Sequence, residues 1–539
     1  MKFIRQRLAI ILVIVFIVIF GEMALGNAIA KSQALIQPSI EITEEFKNIP
    51  HNHDPSISEN QKAINDFAWK VFIALNWPVD CKRQPLYYTT EPLSPKNQYE
   101  KIIGQAPEAP RLWELYPSAK DVFLPNGATP PSLDELPEVK ECLSNHTGSE
   151  IEYQQNLRLT KAGELVTEAE FSEYKTASRK DLLDGYGELI PKISLEDIDA
   201  ANQIPLVDRQ GNYVINEIRL NPVEFQQIIE NKWFDAAKLL MFNNPNTEKL
   251  FKLVCSEPEK DHSSPYCNQY EAEGAIEIKA AWRVFDERNT QQEKARYYTN
   301  KRKIVTKEGE ILDEEAELGL IGFHIMHKTS SQGWIWSTFE HIDNAPPGDA
   351  QKNTRYTLYN NEYNTENGQK NVPYVTPPYL WYISKDRPKA VTLKVNQGIA
   401  IKDQVPSQIC RANPISNLTK KQNKEWQKSL KAIAESSVWQ YYQLIGTEWL
   451  LHPEIPYSNK EVCRREITPN SPPLTNVSLE PYAQGVSCIV CHTSARLSIQ
   501  GNFCQLNEDP RNCADFSFLM DNAKSSEQIP VEQLNLFSN

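Results

Sequence analysis

The run Cys488-Ile489-Val490-Cys491-His492 constrains this chain more than any other feature. Two thiols three residues apart fit on one helical turn, and an imidazole follows directly. This spacing is the signature for attachment of a c-type haem. The thiols form thioethers to the two vinyl groups, and the next residue places its imidazole under the iron. Cys488 and Cys491 are therefore the candidates for holding one covalent haem, and His492 is the candidate proximal iron ligand. Two other chemistries use the same pair of cysteines. A thioredoxin-like dithiol needs nothing more. Structural zinc needs four ligands, and no second Cys-x-x-Cys or His-x-x-x-His completes that set.

The N-terminus points to export. Lys2, Arg5 and Arg7 precede an unbroken apolar run from Leu8 to Phe20, and Ala28-Ile29-Ala30 forms a small-x-small cleavage site. Residues 1–30 are read as a signal peptide, with an uncleaved anchor as the alternative. The expected compartment is the periplasm or an extracytoplasmic equivalent, where haem is attached after translocation. No later segment is apolar enough to span a bilayer. Outside the motif, eight cysteines remain: Cys81, Cys142, Cys255, Cys267, Cys410, Cys463, Cys504 and Cys513. An even number in an exported chain predicts disulfides. Closeness favours Cys255–Cys267 and Cys504–Cys513; Cys81–Cys142 and Cys410–Cys463 would complete a sequential set. The net charge of −13 argues against nucleic acid and anionic membranes as partners.

The organisation reads as α+β, with N-terminal helices, a central antiparallel β region and a mainly helical C-terminal haem-attachment region. Residues 31–57 are expected to be a flexible leader. The α+β region spans 58–400, and the haem-attachment region 401–539. Ser58 and Gln61 form a capping-box pattern before a helix whose apolar face carries Ile64, Phe67, Ala68, Val71, Phe72 and Leu75. Asn221-Pro222 starts another helix, running toward Met241. Strands are predicted at Ile276–Phe285, Tyr297–Thr306, Leu318–Lys328 and Trp334–Glu340, and a hairpin turn at Asp208–Asn212. A long helix is predicted over Lys420–Leu451, its lysines forming a solvated face.

A second iron ligand has to be sought away from the motif. Only 47 residues follow His492, holding one methionine, Met520, and no histidine. Met520 ends an alternating, strand-like run and is also plausible core filler. His324 and His327 sit on one predicted strand, where side chains alternate, so they point to opposite faces. His324 shares a face with Met326. His327 shares one with Phe323 and Ile325. Trp334, Trp336 and Phe339 lie beside them, an apolar setting that suits a porphyrin. His324 is taken as the distal candidate, with His327 and Met520 as alternates. His341 and His452 are further candidates; each of these histidines also reads as an ordinary hydrogen-bonded core residue.

The motif with its flanks, Gly485 to Arg496, resembles c-type cytochromes. Trp69 to Pro78, Gly322 to Ile325, Trp334 to His341 and Asp515 to Leu519 are similar to stretches of large exported monohaem cytochrome c-like proteins. The resemblance implies one haem c and no named reaction. Small soluble cytochromes carry the motif near the start of a compact domain, and here it lies late. The expected function is single-electron transfer with an unknown redox partner protein. A haem enzyme, either a peroxidase or a small-substrate oxidoreductase, is the main rival, and a haem-based sensor or binding module is the third reading.

Overall fold

The structure is a computed structural model. It describes residues 40–50, 61–152, 206–239, 250–258, 267–347, 356–360, 370–371, 379–403, 407–449, 473–497 and 513–525, apart from short stretches inside these spans. Residues 1–30, Ser58, Met241, His452, Cys463 and Cys504 lie outside the described residues.

Helix α1 (Gln61–Leu75) forms where apolar residues recur three and four apart, and Ile64, Phe67, Ala68, Val71, Phe72 and Leu75 are all buried. Asn76 closes it by donating to the Phe72 carbonyl at 2.8 Å, just ahead of Pro78. Gln61, expected to complete a capping box, instead donates to Thr447 Oγ1 at 2.6 Å on a distant strand. Part of the segment expected as a flexible leader also packs here, through buried Ile42 and Ile49.

The body of the protein is a seven-stranded sheet. Its strands are β1 (Ser149–Glu152), β2 (Ile215–Leu220), β3 (Ile276–Val284), β4 (Thr299–Val305), β5 (Ile311–Thr329), β6 (Gly333–His341) and β7 (Tyr442–Trp449). The order across the sheet is β7-β6-β5-β3-β2, with β4 also on β5 and β1 beside β4. Every pair is antiparallel except β1 with β4. A smaller antiparallel sheet is formed by Tyr379–Ser384, Arg387–Asn396 and Ile399–Asp403. The fold is thus α+β with an antiparallel sheet. The β5–β6 hairpin turns through Ser330–Gln332, and Gly333 takes the left-handed φ of +64° that a side chain resists.

Helix α2 (Pro222–Asn231) starts as expected: the Asn221 side chain accepts from the Glu224 amide at 3.1 Å. It stops at Lys232, whose φ is +57°, short of the longer run expected. The predicted helix over Lys420–Leu451 is also corrected. Helix α3 (Asn417–Ile433) ends at Ile433, and residues 442–449 are strand β7. Gly446 costs about 1 kcal/mol inside a helix. In the strand its missing side chain admits Leu474, which a Cβ would meet at 2.6 Å. Lys420, Lys421, Lys424 and Lys431 are exposed, as predicted. Among the described residues no helix is long and apolar enough to cross a membrane.

Cys81–Cys142 and Cys255–Cys267 are bonded, with Cα–Cα distances of 5.6 and 5.8 Å. Closing their loops stabilises the fold by about 4 and 3 kcal/mol respectively in the chain-entropy account. Cys513 is also disulfide-bonded.

One face of the sheet meets α1 and α3. Phe339 stacks on Phe72 at 4.2 Å and meets Trp69 edge-on at 5.0 Å, while Trp69 stacks on Trp426 of α3 at 5.9 Å. At one side of this core runs a buried chain of charges. Glu217 lies between Arg219 (2.8 Å) and Arg302 (2.9 Å), and Arg302 reaches Glu114 at 3.0 Å. Trp282 Nε1 donates to Glu217 at 2.7 Å. Burial works to raise the Glu217 carboxyl, but Arg302 and Arg219 outweigh it and hold it down at about 2. This stability is present above the carboxyl's unfolded pKa of about 4.3 and is lost as pH falls toward 2. Removing one partner strands the others in the interior, so Glu217→Ala is expected to cost about 3–5 kcal/mol, read by urea unfolding at neutral pH. A loss under 1 kcal/mol would show the chain of charges to be dispensable.

Candidate functional site

The opposite face of the sheet mixes polar side chains with a second apolar cluster that includes Met326, Trp334 and Trp336, and the C-terminal segment lies on it. Strand register sets the rows. Glu448, Trp336, Met326 and Glu277 align across β7, β6, β5 and β3; Gly446, Thr338, His324 and Lys279 form the next row. The two glycines Gly446 and Gly322 leave room for residues 474–480. A Cβ on Gly322 would stand 2.1 Å from Ser478 Oγ. Asn476 fastens this segment by donating to Thr338 Oγ1 (3.0 Å) and the Phe339 carbonyl (2.8 Å), and the Val477 amide donates to Glu340 at 2.6 Å.

The motif forms the short helix α4 (Cys488–His492), opened by Ser487, whose Oγ accepts from the Val490 amide at 3.3 Å. Ile489 is its buried anchor, and Val490 is 46% exposed. Cys488 and Cys491 therefore sit one turn apart, and neither forms a disulfide. Glu448 reaches under the helix and accepts from the Ile489 amide at 3.2 Å; burial pushes its carboxyl up to about 7. Burial, then the charges of Glu448 and Glu480, push the Cys488 thiol well above its usual range. A redox-active dithiol is favoured by the reverse shift.

His492 Nδ1 donates to the Phe516 carbonyl at 2.7 Å, which leaves the lone pair on Nε2. Trp336 and Phe518 flank the ring, with centroids at 5.9 and 5.0 Å. Burial lowers the imidazole to about 4; the Phe516 carbonyl opposes this, His324 and Lys279 reinforce it, and Glu480 opposes it. The ring is thus neutral at neutral pH, the form that binds a metal ion.

The carbonyl comes from a strained turn. Ser517 N donates to the Ala514 carbonyl at 2.9 Å, and the central residues Asp515 and Phe516 have φ of +52° and +70°. This mirror-image turn favours Gly and Asn. Here it is locked by the Lys328–Asp515 ion pair, by the Leu253 amide donating to Asp515 at 2.8 Å, and by Trp334 Nε1 donating to the Asp515 carbonyl at 2.7 Å. Met520 is fully buried in the cluster behind the turn, on a 3-10 helix (Phe518–Asn522) instead of the expected strand-like run.

The other predicted histidines separate clearly. His324 is on the motif's face, its Nε2 3.2 Å from Glu480 Oε2. His327 is on the opposite face, stacked on Phe67 at 5.5 Å with Nε2 2.6 Å from the Glu273 carbonyl. That placement removes it as an alternate to His324. His341 is buried under Tyr297 at 3.8 Å; Nε2 donates to the Arg296 carbonyl and Nδ1 accepts from the Asp343 amide. Both its nitrogens are engaged, and burial lowers it to about 4.

Sequence reading missed Glu448, Glu480 and the 515–517 turn. A usable signal existed for the first: Glu448 shares the strand parity of residues facing the motif. Searches against protein-family models, curated proteins and solved structures find no match to this chain.

Gly322→Ala is expected to lift residues 474–480 and cost about 1–3 kcal/mol in urea unfolding. Gly485→Ala, where a Cβ meets nothing within 4 Å, is expected to stay within about 0.5 kcal/mol of wild type. Equal effects at both positions would overturn the close-approach account.

Proposed function

We propose that this is an exported monohaem c-type cytochrome that passes single electrons to or from a redox partner protein. In this reading Cys488 and Cys491 hold the porphyrin through thioethers, His492 is the proximal iron ligand, and residues 401–539 are the haem-attachment region. The observation that carries it is the setting of His492, oriented by the Phe516 carbonyl and walled by Trp336 and Phe518. Haem ligands are held this way, with the second ring nitrogen fixed by a carbonyl. The donor set therefore fits the group. When bound, haem supplies a one-electron redox centre; the chain's own residues orient the ligand, shield it from water and set the surrounding charge.

The first test is attachment. Protein made in a host with working cytochrome c maturation is expected to give a haem-stained band after denaturing electrophoresis. Replacing both Cys488 and Cys491 with Ser is expected to abolish the stain. An unstained wild type would sink this function.

Coordination separates carrier from enzyme. His324 is the proposed distal ligand, on the grounds that it lies on the face of the sheet that the motif covers, in the row beside Trp336 and Glu448. The wild type is expected to be low-spin, and His324→Ala high-spin and able to bind carbon monoxide. The enzyme reading is favoured by one observation, the His324–Glu480 contact, which sets an imidazole and a carboxyl side by side near the motif. A high-spin wild type that binds carbon monoxide and consumes peroxide, with turnover lost in Glu480→Gln, would decide for the enzyme.

A further inference from the structure

Behind the Asp515–Phe516 turn lies a group of buried acids that the motif chemistry does not use. Glu224, in the first turn of α2, is fully shut from solvent, and Glu277 of β3 lies beside it. Asp515 faces the same interior from the turn. Lys328 of β5 pairs with Asp515, and Lys252 adds a further positive charge acting on both. Three carboxyl groups thus face one buried ammonium and a second cation beyond it.

The hydrogen bonding is incomplete in a specific way. Neither oxygen of Glu224 meets a donor, and Glu277 Oε1 meets none. Ser517 serves the rest of Glu277. Two neighbouring carboxylates cannot both ionise in a dry interior, and one proton between them supplies the missing donor. Three consecutive residues then tie this pair to the motif. Asp515 holds Lys328, the Phe516 carbonyl holds His492, and Ser517 holds Glu277.

We infer that Glu224 and Glu277 form a buried proton-binding site that takes up one proton from water when the adjoining motif gains one electron from its donor. The inference rests on the haem reading above. The step balances in charge: one electron arrives, one proton follows, and both leave on reoxidation. Burial, with Asp515 adding to it, pushes Glu277 up to about 7, and burial with Glu277 beside it pushes Glu224 further. An added electron raises proton affinity nearby, so reduction is favoured by low pH.

The test uses the full, haem-loaded chain. Midpoint potentials are measured spectroelectrochemically from about pH 5 to pH 9, together with reduced-minus-oxidised infrared spectra. The wild-type potential is expected to fall as pH rises through neutrality, by up to about 59 mV per tenfold change in proton activity. A carboxylic-acid carbonyl band is expected to appear on reduction. Glu277→Gln, which keeps a hydrogen-bonding side chain, is expected to flatten the slope and remove the band; Glu224→Gln serves equally if the first variant does not fold. A stained but pH-independent wild type would overturn this inference alone. So would a slope retained in the variants, which would assign it to other groups such as the haem propionates. A wild type without haem stain would overturn both readings.

Discussion

Strand β5 runs 19 residues through a sheet that is covered on both faces, and its period of two governs what the motif meets. Phe323 and Ile325 must enter the aromatic core beneath α1, where Phe323 meets Phe72 at 5.7 Å. Each such side chain is worth about 1.5–3 kcal/mol in burial. Once those are fixed, His324 and Met326 have no choice but the other face, and His327 returns to the core side. A slip of one residue would exchange them all, at the cost of the whole apolar set. The polar constellation beneath the motif is therefore specified by burial energy on the side of the sheet away from it.

The second dependence is the turn at Asp515–Phe516. Two successive non-glycine residues with positive φ cost about 1–2 kcal/mol each. That strain is offset by what surrounds it: the Lys328 ion pair, the Trp334 indole, the Leu253 amide, and Phe516 set edge-on to Trp336 at 5.5 Å. These contacts come from β5, β6 and the segment before Cys255. The turn persists because several elements agree on it, and its product is one carbonyl aimed at His492.

Much of this was legible in the chain and some was not. The β5–β6 hairpin, the opposite faces of His324 and His327, and the Asn221 cap follow from local rules with short reach. The second half of the predicted 420–451 helix failed because Tyr442, Leu444, Thr447 and Trp449 can be read at either period. Only pairing with β6 and the approach of Leu474 to Gly446 decide for a strand. Gln61 failed as a cap because Thr447, 386 residues away, is a better partner than its own helix. The acids under the motif were invisible for the same reason. Glu224, Glu277 and Asp515 are far apart in sequence, and no local pattern distinguishes a buried carboxyl from a solvated one.

The late position of the motif follows from this architecture. Helix α4 has five residues, with one buried anchor, and cannot stand alone. In a small helical domain the neighbouring helices would supply its ring walls and its carbonyl. Here Trp336 comes from β6, the carbonyl from a turn 24 residues downstream, and the supporting carboxyl of Glu448 from β7. Each depends on the sheet that residues 474–480 lie across. Residues 474–480 in turn depend on Gly322 and Gly446 for clearance. The long region before the motif therefore has a structural reason, whatever further chemistry it serves. It builds the two-sided sheet, and the C-terminal segment uses the side away from α1 as its floor.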